Sequence, residues 1–171
     1  MHETADDLAA LQRILDASYA HAGPHLLRIH TEDRRLDAQQ VADRLTGMSL
    51  LALATVTADG RPIVGPVDGI FLRGAFHFGS SPDSVRARHI AARPQVSATH
   101  LPGEELAITV HGRAEPADIS PDGGGLLRRT LLDVYVPRYG EQWGTEFLDS
   151  GPRYWRIDPF RMFTFHFADG G

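Results

Sequence analysis

The run MSLLALATVTADGRPIVGPVDGIFLRGAFHFG, residues 48–79, decides the fold. Met48 to Thr57 is apolar and rich in β-formers, so it reads as a strand. Ala58-Asp59-Gly60 is a turn, and Arg61 to Leu72 is a second strand. An Asp-Gly pair between two apolar runs is a strong short-range hairpin signal, because both residues tolerate positive φ. Arg73-Gly74 then turns the chain into a third strand, Ala75–Gly79. Three antiparallel strands in succession make a meander. Within the second strand, Gly65-Pro66-Val67-Asp68-Gly69 is unusual. Proline removes a ladder donor and glycine adds freedom, so pairing is disturbed there. The segment is either an edge or bulge, or a place where backbone N–H and C=O groups face a flat ligand.

The third strand leads into AFHFGSSPDSVRARHIAARPQV, residues 75–96. The spacing predicts a short basic helix with Ser81 as N-cap, Pro82 at the first helical position and Asp83 at the positive end of the dipole. Pro94 disfavours helical backbone at Arg93, so the helix should stop there. A Gly79-Ser80-Ser81 loop at a helix start offers N–H groups and hydroxyls to an anion. Ser84, Arg86 and Arg88 follow within two turns, and guanidinium forks match phosphate oxygens. One reading is a phosphate site; the other is a capped surface helix with solvated arginines. At about 100° per residue, Arg86 and Arg88 lie roughly 200° apart, so one would grip the ligand while the other faces an interface or solvent. Arg93 falls near the face of Arg86.

Two further strands follow, Gln95–Leu101 and Leu106–Pro116, separated by Pro102-Gly103. In the latter, Ile108, Val110 and Gly112 alternate with Thr109, His111 and Arg113, the pattern of a half-buried strand. Before the meander, residues 3–20 form an amphipathic helix with Leu8, Leu11, Ile14 and Leu15 on one stripe. Residues 21–34 read as a polar connector, and Asp37–Leu45 as a second helix with Val41 and Leu45 inward. After Asp118–Gly125, GGGLLRRTLLDVYV gives a helix ended by Pro137 and Gly140. Glu141–Leu148 adds a turn or two. Tyr154–Ile157 and Met162–Phe167 read as separate strands around Asp158-Pro159. The class is mainly β with helical additions: a small barrel of short antiparallel strands, residues 47–171, behind an N-terminal helical extension, residues 1–46.

The 171 residues suit one domain with a real core, and a net charge of −5 disfavours nucleic-acid or membrane partners. There are no cysteines, which removes thiolate catalysis and cysteine metal sites. The acidic start MHETADDLAALQ lacks the basic and apolar runs of a signal peptide, so a cytoplasmic protein is expected. Gly123-Gly124-Gly125 does not follow a strand and lacks dinucleotide-loop spacing. His77, His111 and His166 fall in three different strands and are expected to point outward rather than bind metal. Most of the aromatic tail (Trp143, Tyr154, Trp155, Phe160, Phe163, Phe165, Phe167) reads as packing, with Trp155 beside Arg156 the one able to line a planar ligand.

Four stretches, LALATVTADGRPIVGPV (51–67), FHFGSSPDSVRARHIAARPQVSA (76–98), ITVHGRAE (108–115) and YWRIDPFRMFTF (154–165), resemble the pyridoxamine 5′-phosphate oxidase-like family by their order and spacing. The resemblance implies a six-stranded antiparallel split β-barrel, a homodimer with flavin at the interface, and a flavin-dependent oxidoreductase acting on a small-molecule substrate. It implies that Arg86 grips the phosphate of FMN, with Ser80, Ser81 and Ser84 assisting and Arg88 beside them. Pro66, Val67 and Asp68 would lie along the flavin ring through their backbone, Gly79 would allow close approach, and residues near Thr109 or Trp155 would come from the partner subunit. The family also holds users of the deazaflavin coenzyme, whose polyglutamate tail wants a basic groove such as Arg61, Arg73, Arg86, Arg88 and Arg93 could form. Other members bind haem or have no known substrate, so a module that holds flavin or haem without turnover is the further alternative. Gly65 stands where the oxidase itself has a basic residue, and FHFADGG (165–171) lacks its arginine-x-histidine run, so the resemblance points to the wider family.

Overall fold

In the computed structural model, which describes residues 2–167, six strands form a closed antiparallel barrel in the order β1-β2-β3-β6-β5-β4. They are β1 (Met48–Val56), β2 (Pro62–Leu72), β3 (Ala75–Ser80), β4 (Gln95–Gly103), β5 (Leu106–Ala117) and β6 (Arg153–His166). The Asp59-Gly60 turn closes the β1–β2 hairpin with Gly60 at φ 84°, and Val56 pairs with Pro62. Alternation sends Leu51, Leu53, Val67, Phe78, Ile108 and Ile157 inward, where all are buried in one core.

Strand lengths set the shape. β3 has six residues, whereas its neighbours β2 and β6 have 11 and 14. β2 therefore pairs with β3 only over Gly69–Leu72, and β6 only over Arg153–Arg156. Two stretches lack a strand partner on the β3 side: residues 62–68 of β2 at one end, and β6 beyond Arg156 at the other. Unpaired backbone groups in a buried position are costly, so each bare edge must find another partner.

The N-terminal helices supply one. Helix α1 (Ala5–Ala20) starts from a Thr4–Asp7 capping box and buries Leu11 and Leu15. Its Ser18 Oγ accepts from Met162 N–H at 2.9 Å. The Tyr19 hydroxyl accepts from Thr164 N–H at 2.9 Å and lies 2.7 Å from Thr164 C=O, to which it donates. Side-chain hydroxyls thus stand in for a missing strand along β6. Helix α3 (Ala38–Arg44), capped by Asp37, adds Val41 and Ala42 to the buried set. Between them, residues 21–34, read from sequence as a polar connector, are partly helical. They hold helix α2 (Pro24–Ile29), entered through Pro24, and a 3-10 turn, Glu32–Arg34.

Helix α4 (Val85–Ala92) packs Ala87 and Ile90 against the barrel. Its N-cap is Ser84, which accepts from Ala87 N–H at 3.1 Å, and not Ser81. Ser81 instead bonds the Asp83 carboxylate, and Ser84 N–H donates to Ser81 C=O, so the loop makes one turn before the helix begins. Helix α5 (Gly125–Tyr139) runs on through Pro137 to Gly140, and is followed by a π-helical turn, Trp143–Phe147, and a 3-10 turn, Leu148–Ser150. Leu127, Leu131 and Tyr135 pack with Ile70, Leu72 and Tyr154 in a second core outside the sheet. This layer corrects the reading of His77, which pairs with Ile70 across β2–β3 and is buried. Burial and the nearby Arg156 push its imidazole down to about 4, so it is neutral at pH 7.

β6 is one strand and not two. Opposite His111 and Gly112 the register shifts, Phe160 bulges outward, and Pro159 sits at the bulge, where no ladder donor is required. Gly112 is required beside it, since a Cβ there would collide with the Asp158 carbonyl. Residues 168–171, the end of the FHFADGG run, lie outside the described residues.

Tyr19→Phe removes the hydroxyl that serves both backbone groups of the fully buried Thr164. The variant should lose about 1–3 kcal/mol of stability, the cost of unsatisfied buried polar groups. A urea unfolding midpoint equal to wild type would contradict this role.

Candidate functional site

The other bare edge, residues 62–68 of β2, borders a slot of about 370 Å³. Pro66, Val67 and Asp68 form one side, and Gly79 at the end of β3 forms the base. Arg86 enters from the first turn of α4. Opposite, Tyr135 of α5, Trp143 and Phe147 of the π-helical turn, and Tyr154 of β6 make an aromatic wall.

Helix α4 places Arg86 through the Ser84 cap. Arg86 Nη2 donates to the Pro66 carbonyl at 3.1 Å, and Nη1 reaches Ser80 Oγ at 3.5 Å. Ser80 and Ser84 hydroxyls are 2.9 Å apart, which fixes the serine pair beside the guanidinium. Arg86 is half-buried and, among the described residues, forms no ion pair. Desolvation lowers its pKa from the ordinary arginine value. A guanidinium drawn out of water with only neutral acceptors is under-compensated, and an anion would relieve it.

The wall is a column of rings. Tyr135 stacks on Trp143 at 4.6 Å between centroids and 22° between planes, and Trp143 meets Phe147 at 5.5 Å. Phe147 remains 46% exposed, so this end of the wall is open to solvent. Burial, with Asp68 nearby, raises the pKa values of Tyr135 and Tyr154, so both phenols keep their protons.

Of the residues singled out from sequence, Pro66, Val67, Asp68, Gly79 and Arg86 come together in the slot, with Ser80 and Ser84 hydrogen-bonded at its edge. Four lie elsewhere in this chain. Ser81 is exposed and bonded to Asp83. Arg88 Nη1 turns back to the Asp83 carbonyl at 2.6 Å. Thr109 bonds Thr99 at 3.0 Å on the outer face of the sheet. Trp155 is 4% exposed and stacks on Phe78 inside the barrel. The sequence reading missed the wall. Trp143 and Tyr154 read as packing, which the second core bears out, while Tyr135 and Phe147 are not singled out. Among the described residues there is no cluster of His, Asp or Glu able to hold a metal, and no helix long and apolar enough to cross a membrane.

A closed six-stranded barrel with helical additions is a known architecture. It is shared with a conserved hypothetical protein from Mycobacterium tuberculosis (19% identity, 81% of this chain and 95% of that one, TM-score 0.62). A FAD-binding protein from Mesorhizobium loti also shares it (23% identity, 79% and 98% coverage, TM-score 0.58), as does the haem storage protein of Vibrio cholerae (20% identity, 74% and 91%, TM-score 0.53). No curated protein sequence matches the chain significantly. The family model for pyridoxamine 5′-phosphate oxidase matches residues 38–167, and the chain belongs to that family.

Gly79 carries a direct test of the slot's base. A Cβ there would lie 2.7 Å from the Tyr154 ring. Gly79→Ala must push that buried ring aside and should cost about 1–3 kcal/mol, as overpacking does. Unchanged stability on urea unfolding would show that the ring is not held against Gly79.

Proposed function

We propose that this protein is an FMN-dependent oxidoreductase that works as a homodimer. The observation that carries the reading is Arg86: a half-buried guanidinium without a carboxylate partner among the described residues, flanked by Ser80 and Ser84, in a slot walled by aromatic rings. Arg86 with the two serines would hold the phosphate, and the backbone of Pro66, Val67 and Asp68 would hold the flat ring. A bound flavin supplies hydride transfer at its N5 position, so the protein's share is binding, orientation and exclusion of water. No side chain need act as acid or base.

The residues favour FMN over the alternatives. Haem needs an axial ligand, and no His, Met or Cys lines the slot among the described residues. The deazaflavin coenzyme would want free arginines for its acidic tail. Arg61 is paired with Asp59, Arg73 with Asp7, and Arg88 and Arg93 are bonded to backbone carbonyls. Oxidation of pyridoxine phosphate is not proposed. The space a side chain at Gly65 would need is filled by the Arg86 guanidinium, 3.1 Å from the Cβ position.

The dimer reading rests on the outer face of β1, β2 and β4. Ala54 pairs with Val64, Leu50 with Asp68, and Ala52 with Thr99, which pairs in turn with Thr109. Leu50, Val64 and Leu101 on this face are 57, 65 and 62% exposed. Contiguous apolar exposure of this kind marks an interaction surface. Analytical ultracentrifugation should show a dimer that Leu101→Glu shifts toward monomer; a monomeric wild type would contradict it.

Arg86→Ala should weaken FMN binding roughly ten- to hundredfold, the loss of charge-assisted hydrogen bonds. Arg61→Ala, in the exposed β1–β2 turn, should leave it unchanged. Equal FMN affinity in the two variants would remove the phosphate role.

A further inference from the structure

A second cavity, of about 590 Å³, is larger than the slot and shares only Tyr154 with it among their lining residues. It lies where the β5–β6 ladder ends, with Pro116 opposite Trp155 and Ala117 opposite Tyr154. Ile119 and Pro121 wall it from the loop after β5, and Leu148 and Pro152 from the segment before β6. Ion pairs and loop bonds already occupy most of its polar groups. Arg128 holds the wall together: Nη1 donates to the Ile119 carbonyl at 2.8 Å, and Nη2 pairs with Asp149 at 2.6 Å. The Asp118 carboxylate accepts from Ser120 N–H at 2.8 Å and lies over Gly123, where a Cβ would collide with it. Its charge is therefore turned into its own loop. Arg153 is the exception. It begins β6, is exposed, and among the described residues makes no ion pair.

Small-molecule sites are concave and mostly apolar, with a few polar groups that fix orientation. Here the wall is apolar and the one uncommitted charge is positive. We infer that this cavity is a second ligand site, for a small molecule with an apolar body and a single carboxylate. The body lies against Ile119, Leu148 and Pro152, and the carboxylate meets the Arg153 guanidinium, whose planar fork matches two carboxylate oxygens. A cationic ligand would meet Arg153 as a like charge, and Asp149 is already neutralised by Arg128. The site stands apart from the flavin reading, because neither Arg86 nor the edge of β2 lines it.

The chain has two tryptophans, and they report on the two cavities separately: Trp155 lines this one and Trp143 lines the slot. The probe is hydrocinnamate, a phenyl ring on a short chain ending in a carboxylate. Its control is hydrocinnamamide, which has the same shape without the charge. Each is titrated into the protein without FMN, and the two indole N–H resonances, assigned with a Trp143→Phe variant, are followed by NMR. The acid should move the Trp155 signal saturably, leave that of Trp143 in place, and bind about fivefold more tightly than the amide, the scale of a solvent-exposed charge-assisted pair. Arg153→Gln should bring acid and amide to equal affinity. Arg153→Lys, which keeps the charge, should retain part of the preference, and Arg61→Gln, in the exposed β1–β2 turn, all of it. No movement of the Trp155 signal, movement of Trp143 in its place, equal affinity of acid and amide in wild type, or a preference that survives Arg153→Gln would overturn the site.

Discussion

The shortness of β3 is the constraint on which the rest of the structure depends. A six-residue strand between strands of 11 and 14 cannot satisfy both neighbours. It leaves β6 bare past Arg156 and β2 bare before Gly69, at opposite ends of β3. The two edges are handled differently. Along β6, the hydroxyls of Ser18 and Tyr19 reproduce ladder bonds to Met162 and Thr164, and the edge is sealed. Along β2, one guanidinium reaches one carbonyl, Pro66, and the rest faces a slot. A sealed edge contributes stability; an open edge leaves backbone groups available to a ligand.

This division gives the N-terminal helices a role. Leu11, Leu15, Val41 and Leu45 join the same core as the barrel strands, and none of α1–α3 lines the slot. They complete the barrel and do not lid the site. The opposite layer, α5 and the turns after it, combines packing with lining. Leu127 and Leu131 are core, while Trp143, packed on that core, and Phe147, farther along, line the slot.

Much of this was legible in the sequence. Asp59-Gly60 fixed the hairpin, alternation in Ile108–Arg113 fixed the inner face of β5, and the Ser-Arg loop singled out Arg86, which the structure places in the slot. What escaped has physical reasons. Ser81 and Ser84 are equally good N-caps on paper, and the winner depends on Ser81 finding Asp83 instead. Pro159 looks like a strand break until a bulge opposite Gly112 accommodates it. His77 looks exposed by alternation, because nothing in β3 itself says that α5 will cover its outer face. The aromatic wall brings β6 and the segment before it against β2, a juxtaposition that local pattern does not encode.

The account turns on a flat, phosphate-terminated cofactor in the slot between β2, Arg86 and the ring column. Titration of the purified protein with FMN, followed by flavin fluorescence, tests it most directly. Saturable binding with one FMN per chain and strong quenching by the neighbouring rings is the predicted result. No saturable binding at any FMN concentration the protein tolerates would contradict the account.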